Sequence, residues 1–285
     1  MSETVEIFEM GPRDGLQNEK RQIPTADKIA LVDCLSRAGF RRIEVASFVS
    51  PKWVPQMADS ADVLAGITRA KGVSYAALTP NMKGFEGAQA AKADEIAIFG
   101  SASEGFSKAN INATIAESLE RFAPVVEAAK LASIPVRGYV SCVADCPYDG
   151  PTAPAQVAKV AKALLDMGCY EISLGDTIGQ GTPEAISAML EAVLQVVPAA
   201  QVAGHYHDTA GRALVNIEAS LAQGVRVFDA AVGGLGGCPY APGAAGNVAT
   251  ESVHARLTKL GYDTGLNNDV LEEAAAMARR MREGN

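Results

Sequence analysis

The chain has 285 residues, 48% of them hydrophobic and 20% charged, with a formal net charge of −8. That length buries a substantial core, and no apolar run approaches the ~20 residues a membrane-spanning helix needs. The acidic balance argues against general nucleic-acid binding, which needs a basic stripe, but leaves room for a small anionic ligand at a local cluster.

The opening "MSETVEIFEM" carries neither the basic nor the apolar region of a signal peptide. A first apolar run, "VEIFEMG" (5–11), reads as a strand. It leads into "GPRDGLQNE", which puts Arg13, Asp14 and Gln17 on the following loop. "TADKIALVDCLSRAG" (25–39) has helical spacing, and "RIEVAS" (42–47) returns to strand. Glu44 in that strand, between Ile43 and Val45, stands where alternation expects an inward apolar side chain. Basic residues gather early, at "EKRQ" (19–22), "FRRIE" (40–44) and "PKW" (51–53), each also readable as ordinary solvated surface.

Strands follow at "VSYAALT" (73–79) and "EIAIFG" (95–100), and the second runs into "FGSASEGFSK", with Ser103 and Lys108 as candidate substrate contacts beside Gln17. A helix over 114–133 precedes "PVRGYVS" (135–141), and one over 153–168 precedes "YEISLG" (170–175), which ends at Asp176. A helix over 182–197 leads to "QVAGHYH" (201–207), and one over 211–224 leads to "VFDAAVGG" (227–234). The loop "GGLGGCPYAPGAAGN" then enters a helix over 248–257, and the tail 265–285 reads as an extra helix outside the main fold. Several helices begin at Ser, Thr or Pro and end at Gly.

Near-continuously apolar strands separated by helices imply a parallel sheet covered on both faces. Eight β/α units in about 260 residues match one closed TIM (β/α)8 barrel, with residues 1–285 forming a single catalytic domain and an extra C-terminal helix. A doubly wound open sheet is the alternative, but "GGLGGCP" (233–239) has Pro239 where the dinucleotide pattern wants its last glycine. The five cysteines, Cys34, Cys142, Cys146, Cys169 and Cys238, are odd in number and scattered, which predicts reduced thiols in the cytoplasm. Cys142 and Cys146 in "SCVADC" lack partners for a metal site and read as structural or incidental.

Barrel active sites lie at the C-terminal ends of the strands. Arg13, Asp14, Gln17, Asp176, His205, His207 and the Gly-rich loop all fall there. His205 and His207 hold alternate strand positions, roughly 6–7 Å apart, and so face the same way. With Asp14 and Asn247 from neighbouring units, two nitrogens and two oxygens suit a six-coordinate Mg²⁺ or Mn²⁺, although non-haem iron shares that first shell. Zinc would favour thiolate, and Cys238 is the only thiol placed to offer one. The structural alternative is one core imidazole and one surface imidazole.

Together "GPRDGLQNE", "RIEVASFVSPKWVPQM", "LGDTIGQGTP", "HYHDT" and "GGLGGCPYAPGAAGN" resemble the hydroxymethylglutaryl-CoA lyase family, from about residue 5 to 260. The arginine–aspartate–glycine opening is shared with related metal-dependent condensing enzymes, whereas "GGCPYA" is a lyase hallmark. The resemblance implies a TIM barrel that cleaves 3-hydroxy-3-methylglutaryl-CoA into acetyl-CoA and acetoacetate, in leucine degradation and ketone-body metabolism. It also implies an acyl-CoA partner, a homodimer, and Asp14, His205, His207 and Asn247 as ligands of a divalent metal, Mg²⁺ or Mn²⁺. By the same matching, Arg13 contacts the thioester carbonyl, Cys238 is a catalytic thiol on a mobile loop, and Glu44 and Asp176 are acids near the metal centre. The base that takes the hydroxyl proton stays open among His205, Asp14 and Asp176, with His205 favoured in a double role. CoA phosphates have two candidate seats, the N-terminus of helix 248–257 behind Gly243, Gly246 and Asn247, and the early basic residues.

The chain departs from the lyase pattern at Gly105, Gly204, Tyr206 and Ala210. Gly105 and Ala210 are expected to reshape the acyl pocket, which keeps a lyase for another 3-hydroxy-acyl-CoA in view. A Claisen-condensing synthase of the same superfamily usually carries a further domain and a different loop before its Gly-Asn. Biotin-dependent carboxyltransferases carry a lysine near the end of strand six, where "SLGDT" has none. A non-catalytic metal-binding scaffold would hold a metal and turn over no acyl-CoA.

Overall fold

The computed structural model describes residues 2–237 and 246–283. Eight parallel strands close a barrel: β1 (Glu6–Glu9), β2 (Arg42–Ser47), β3 (Ser74–Leu78), β4 (Glu95–Ser101), β5 (Val136–Ser141), β6 (Glu171–Asp176), β7 (Val202–Tyr206) and β8 (Val227–Ala230). Each strand pairs with its neighbours in sequence, and β1 pairs with β8 to shut the ring. This is the TIM barrel expected from the alternating periodicity.

Strand register decides what each side chain meets. In one layer, Arg137 of β5 pairs with Glu171 of β6; in the next, Tyr139 pairs with Ser173. His205 of β7 pairs with Asp229 of β8, which pairs with Phe8 of β1. Side chains at matched positions of parallel strands point the same way, so these residues share the barrel interior. The alternate set, with Ile7, Ile43, Ile96, Ile98, Val140, Ile172 and Leu174, faces outward and forms the main core under the helices. The interior has a smaller apolar cluster of Phe8, Met10, Ala76, Leu78, Ala97 and Tyr139. Its remaining space is filled by polar groups.

The helices expected from periodicity lie at Thr25–Ser36, Ile115–Leu131, Pro154–Met167, Pro183–Val193, Ala213–Ala222 and Thr250–Lys259. Thr114 caps one of them in a reciprocal capping box with Glu117, each satisfying a backbone N–H the helix start leaves open. Shorter helices stand at Ser60–Gly66, Met82–Ala90 and Glu104–Ile111, and a small hairpin pairs Asp145–Cys146 with Gly150–Pro151. The tail forms a helix at Asn268–Glu283, burying Leu271, Ala274, Ala275, Ala278 and Met281.

Two strands end earlier than the apolar runs suggest. β1 stops at Glu9 because Gly11–Gly15 winds into a single π-type turn. β8 stops at Ala230, and Gly233 then takes φ +65° in a tight turn, where a Cβ would lie 2.9 Å from Ala278 Cβ of the tail helix. Glycine permits both the left-handed backbone and the close approach.

Candidate active site

The π-type turn after β1 carries Arg13 and Asp14 to the barrel mouth. Beneath it lies Glu9, fully buried. One Glu9 oxygen accepts from the Gly11 N–H at 2.7 Å and the Val232 N–H at 2.9 Å, and the other from Thr250 Oγ1 at 2.7 Å. The carboxyl thereby ties the Asp14 turn to the segment after β8 and to the helix at Thr250–Lys259. Burial pushes its pKa up to about 7 against those three donors. A Cβ at residue 11 would fall 2.6 Å from the Glu9 oxygen, which explains the glycine.

β7 supplies His205, and His207 follows just past the strand end, its backbone bridged to Asn247. The two imidazoles stand 5.3 Å apart between centroids. Ligating atoms of Asp14, His205 and His207 all lie within 4.8 Å of one another. Asn247 Nδ2 donates to Asp14 Oδ2 at 2.8 Å, so the amide abuts the cluster through the aspartate. The shared direction of the histidines and the convergence of β1, β7 and the segment after β8 match the sequence reading.

Electrostatics sets Asp14 and His207 up as metal donors. Burial pushes the Asp14 carboxyl up, but Arg13 and both imidazoles outweigh it and bring its pKa to about 2. Burial, with His205 beside it, lowers His207 to about 4, so its imidazole is neutral near pH 7. His207 Nδ1 is buried without a hydrogen-bond partner among the described residues. An orphaned imidazole nitrogen next to an ionised carboxylate is costly unless a cation completes it. The donor set therefore fits a divalent metal.

Interior charges fix the cluster from below. His205 Nδ1 lies 3.1 Å from Asp229 Oδ2, which leaves Nε2 as the nitrogen on the cluster side, 3.8 Å from Asp14 Oδ2. Asp229 also accepts both terminal nitrogens of Arg137, at 2.9 and 2.8 Å, and Ser173 Oγ at 2.8 Å. Burial opposes the charge on Asp229, yet Arg137 and His205 hold its carboxyl well below the usual range. Arg13 Nε donates to Glu44, and Arg13 Nη1 to Asp14 at 2.6 Å. Tyr139 OH donates to Glu44 Oε1 at 3.1 Å. Burial pushes the Glu44 carboxyl up against the pull of Arg13. Both the salt bridge and a position beside the metal cluster hold for Arg13 at once.

A cavity of about 740 Å³ opens above these groups. Arg13, Asp14, Gln17, His205 and His207 line it. Glu44, fully buried, meets the cavity through Arg13 and Tyr139, which both line it. Three expected site residues stand elsewhere. Asp176 has the opposite strand parity to Ser173 and Gly175, so its carboxylate turns outward to accept the Gly181 N–H at 2.8 Å and the Gln180 N–H at 3.3 Å. Ser103 caps its helix, accepting from the Phe106 N–H at 3.0 Å and donating to Asp149 at 2.7 Å. Lys108 is exposed on that helix, outside the lining. Gly105 and Ala210 are also outside it, and a Cβ at Gly105 would meet Asp149 and Tyr148. Cys142 and Cys146 pack with Phe106, in keeping with a structural role. Cys238 and Gly243 lie outside the described residues.

Periodicity did not single out Tyr139, Arg137, Ser173 or Asp229. The available signal was the one that marks Glu44, a polar residue at an inward position of an apolar strand, and "PVRGYVS" and "VFDAAVGG" both carry it.

Comparison with known proteins gives one direction. The HMGL-like family model matches residues 4–278. A mitochondrial hydroxymethylglutaryl-CoA lyase of Bos taurus is 60% identical over 272 residues, spanning 95% of this chain and 84% of the relative. A 3-hydroxy-3-isohexenylglutaryl-CoA/hydroxy-methylglutaryl-CoA lyase of Pseudomonas aeruginosa is 59% identical over 270 residues, spanning 95% and 90%. The crystal structure of the HMG-CoA lyase from Brucella melitensis superposes with a TM-score of 0.98 at 62% identity, covering 99% of this chain and all of that one.

Proposed function

The chain belongs to the HMGL-like family, and from that premise we propose that it is a hydroxymethylglutaryl-CoA lyase, splitting 3-hydroxy-3-methylglutaryl-CoA into acetyl-CoA and acetoacetate. The observation that carries this reading is the placement of Asp14, His205 and His207 within 4.8 Å of one another at the floor of the mouth cavity, with Arg13 beside them.

Cleavage of the C2–C3 bond moves the hydroxyl proton to a base and the bond pair to the thioester, leaving an enolate of acetyl-CoA and a ketone at C3. Asp14, His205, His207 and, through its amide, Asn247 would hold a divalent ion; their nitrogen and oxygen donors suit Mg²⁺ or Mn²⁺. Such an ion lowers the pKa of a bound hydroxyl and so makes the deprotonation accessible near neutral pH. Arg13 would present its guanidinium to the thioester and enolate oxygen; Nε and Nη1 are held by Glu44 and Asp14, while Nη2 makes no protein hydrogen bond among the described residues. A fixed donor at a developing oxyanion supplies about 3–4 kcal/mol. His205 has one nitrogen toward the cluster, because Asp229 occupies the other, so ligation and proton acceptance compete for Nε2. Cys238 would return a proton to the enolate carbon to complete acetyl-CoA. The four described cysteines are buried and unpaired, which is in keeping with a reducing compartment.

The test is a cleavage panel headed by 3-hydroxy-3-methylglutaryl-CoA, run after chelation and again with Mg²⁺ or Mn²⁺ restored. Equimolar acetoacetate and acetyl-CoA, dependent on the ion, is the expected result. Ion binding without turnover of any acyl-CoA would instead establish a scaffold.

A second acyl group deserves the same panel. The wall facing the histidines across the barrel carries Leu78 and Phe99, with Phe106 adjacent, an apolar surface suited to a 3-alkyl chain longer than methyl. The Pseudomonas aeruginosa relative is named for such a substrate. A kcat/KM for 3-hydroxy-3-isohexenylglutaryl-CoA within tenfold of the methyl compound would establish the broader range.

A further inference from the structure

Trp53 is the chain's single tryptophan and, among the described residues, the most exposed large apolar one, 86% accessible. An indole left in water forfeits a large burial gain, and tryptophan is enriched at interfaces where one end of the ring is covered. Trp53 lines the same cavity whose floor is Asp14, His205 and His207. Its backbone is fixed: the Trp53 N–H donates to Ser50 O at 2.9 Å, Pro51 precedes it, and Pro55 starts a short helical turn with buried Gln56 and Met57. Gln56 anchors that turn, accepting the Ile23 N–H at 3.0 Å and donating to Arg21 O at 2.7 Å. A free side chain on a rigid base is ready to receive a ligand at little entropic cost.

Resting on the lyase reading above, we propose that Trp53 is a binding residue for the CoA half of the substrate, its indole packing flat against that half at the cavity rim. The reacting carbons must sit at the Arg13–Asp14 floor, so the rest of the thioester has to leave through the mouth and pass its rim. Arg121 also lines the cavity, its Nη1 donating to Ile111 O at 3.1 Å, which brings a cation to the rim for an anionic cofactor arm. Adenine and the pantetheine arm both offer apolar surface, and stacking on an aromatic side chain tolerates varied partners.

Because Trp53 is the only tryptophan, its emission reports the contact directly. Intact protein with Mg²⁺ is titrated with CoA, and separately with pantetheine, with calorimetry on the same samples. A saturable change in emission whose midpoint equals the calorimetric Kd is expected. Response to CoA alone places adenine on the indole, and response to both places the arm there. Trp53→Ala is expected to raise KM for the acyl-CoA about tenfold with kcat within twofold, and Trp53→Phe to restore most of the loss. Flat emission at CoA saturation, or an unchanged KM in Trp53→Ala, would overturn the proposal while leaving the lyase reading intact. Emission that follows protein dilution instead of CoA would assign the indole to a contact between copies and also overturn it. Absence of both CoA binding and wild-type cleavage would overturn the lyase reading along with this one.

Discussion

Asp229→Asn probes how the interior of the barrel governs the cluster at its mouth. The substitution keeps size and shape but removes the charge that His205 Nδ1, Ser173 Oγ and two Arg137 nitrogens all address. A hydrogen bond to a charged group contributes about 1.5–3 kcal/mol, and altering the partner of a metal-ligating histidine costs about 10–100-fold in affinity or activity. The two ranges overlap near 2 kcal/mol, or about thirtyfold in metal affinity. Arg137 keeps Glu171 at 2.7 Å, so its guanidinium retains one counterion and the global stability loss should stay below the ~3–5 kcal/mol of a fully broken buried pair. Calorimetric titration of chelated protein with Mn²⁺ measures the first quantity, and urea denaturation the second. Metal affinity within twofold of wild type in a folded Asp229→Asn protein would refute the claim that Asp229 orients His205.

Arg13→Lys preserves charge but replaces the planar fork that reaches Glu44 and Asp14 and that is proposed to reach substrate, so kcat should fall about 10²–10³-fold, as for one lost oxyanion donor; steady-state kinetics checks this, and near-normal turnover would reject the role. Glu9→Gln can keep one oxygen for the Gly11 and Val232 N–H groups but sets an amide NH₂ against Thr250 Oγ1, and a loss of about 1 kcal/mol of stability is expected by urea denaturation, with weaker Mn²⁺ binding because the tie between the Asp14 turn and the Thr250 helix is loosened. His207 has a folded pKa of about 4, below that of a free imidazole, so the unfolded chain takes up the extra proton as pH falls. Its contribution is full above the unfolded pKa near 6.5 and is lost as pH drops toward the folded value. Chelated wild type should lose about 2 kcal/mol from this group between pH 7 and pH 5, and His207→Asn should show a correspondingly shallower slope. Parallel curves for the two proteins would reject it.

Near-continuously apolar strands alternating with capped helices sufficed to read the barrel from the sequence, because each element's apolar pattern is a local property of neighbouring residues. The same periodicity put His205 and His207 on one side and made Glu44 conspicuous, and the position of Asp14 behind β1 joined them once the ring closed. What the sequence by itself could not decide was parity and partner. Asp176 and Ser103 look as polar as Asp14 in a loop, yet strand alternation turns one outward to a backbone N–H pair and helix capping claims the other. Asp229 and Arg137 are 92 positions apart in the chain and become bidentate partners only because their strands face each other across the barrel interior. Burial strips water from both, so each needs the other. Charge pairing of that kind acts through space at a few ångströms, and only the closed tertiary fold sets those distances.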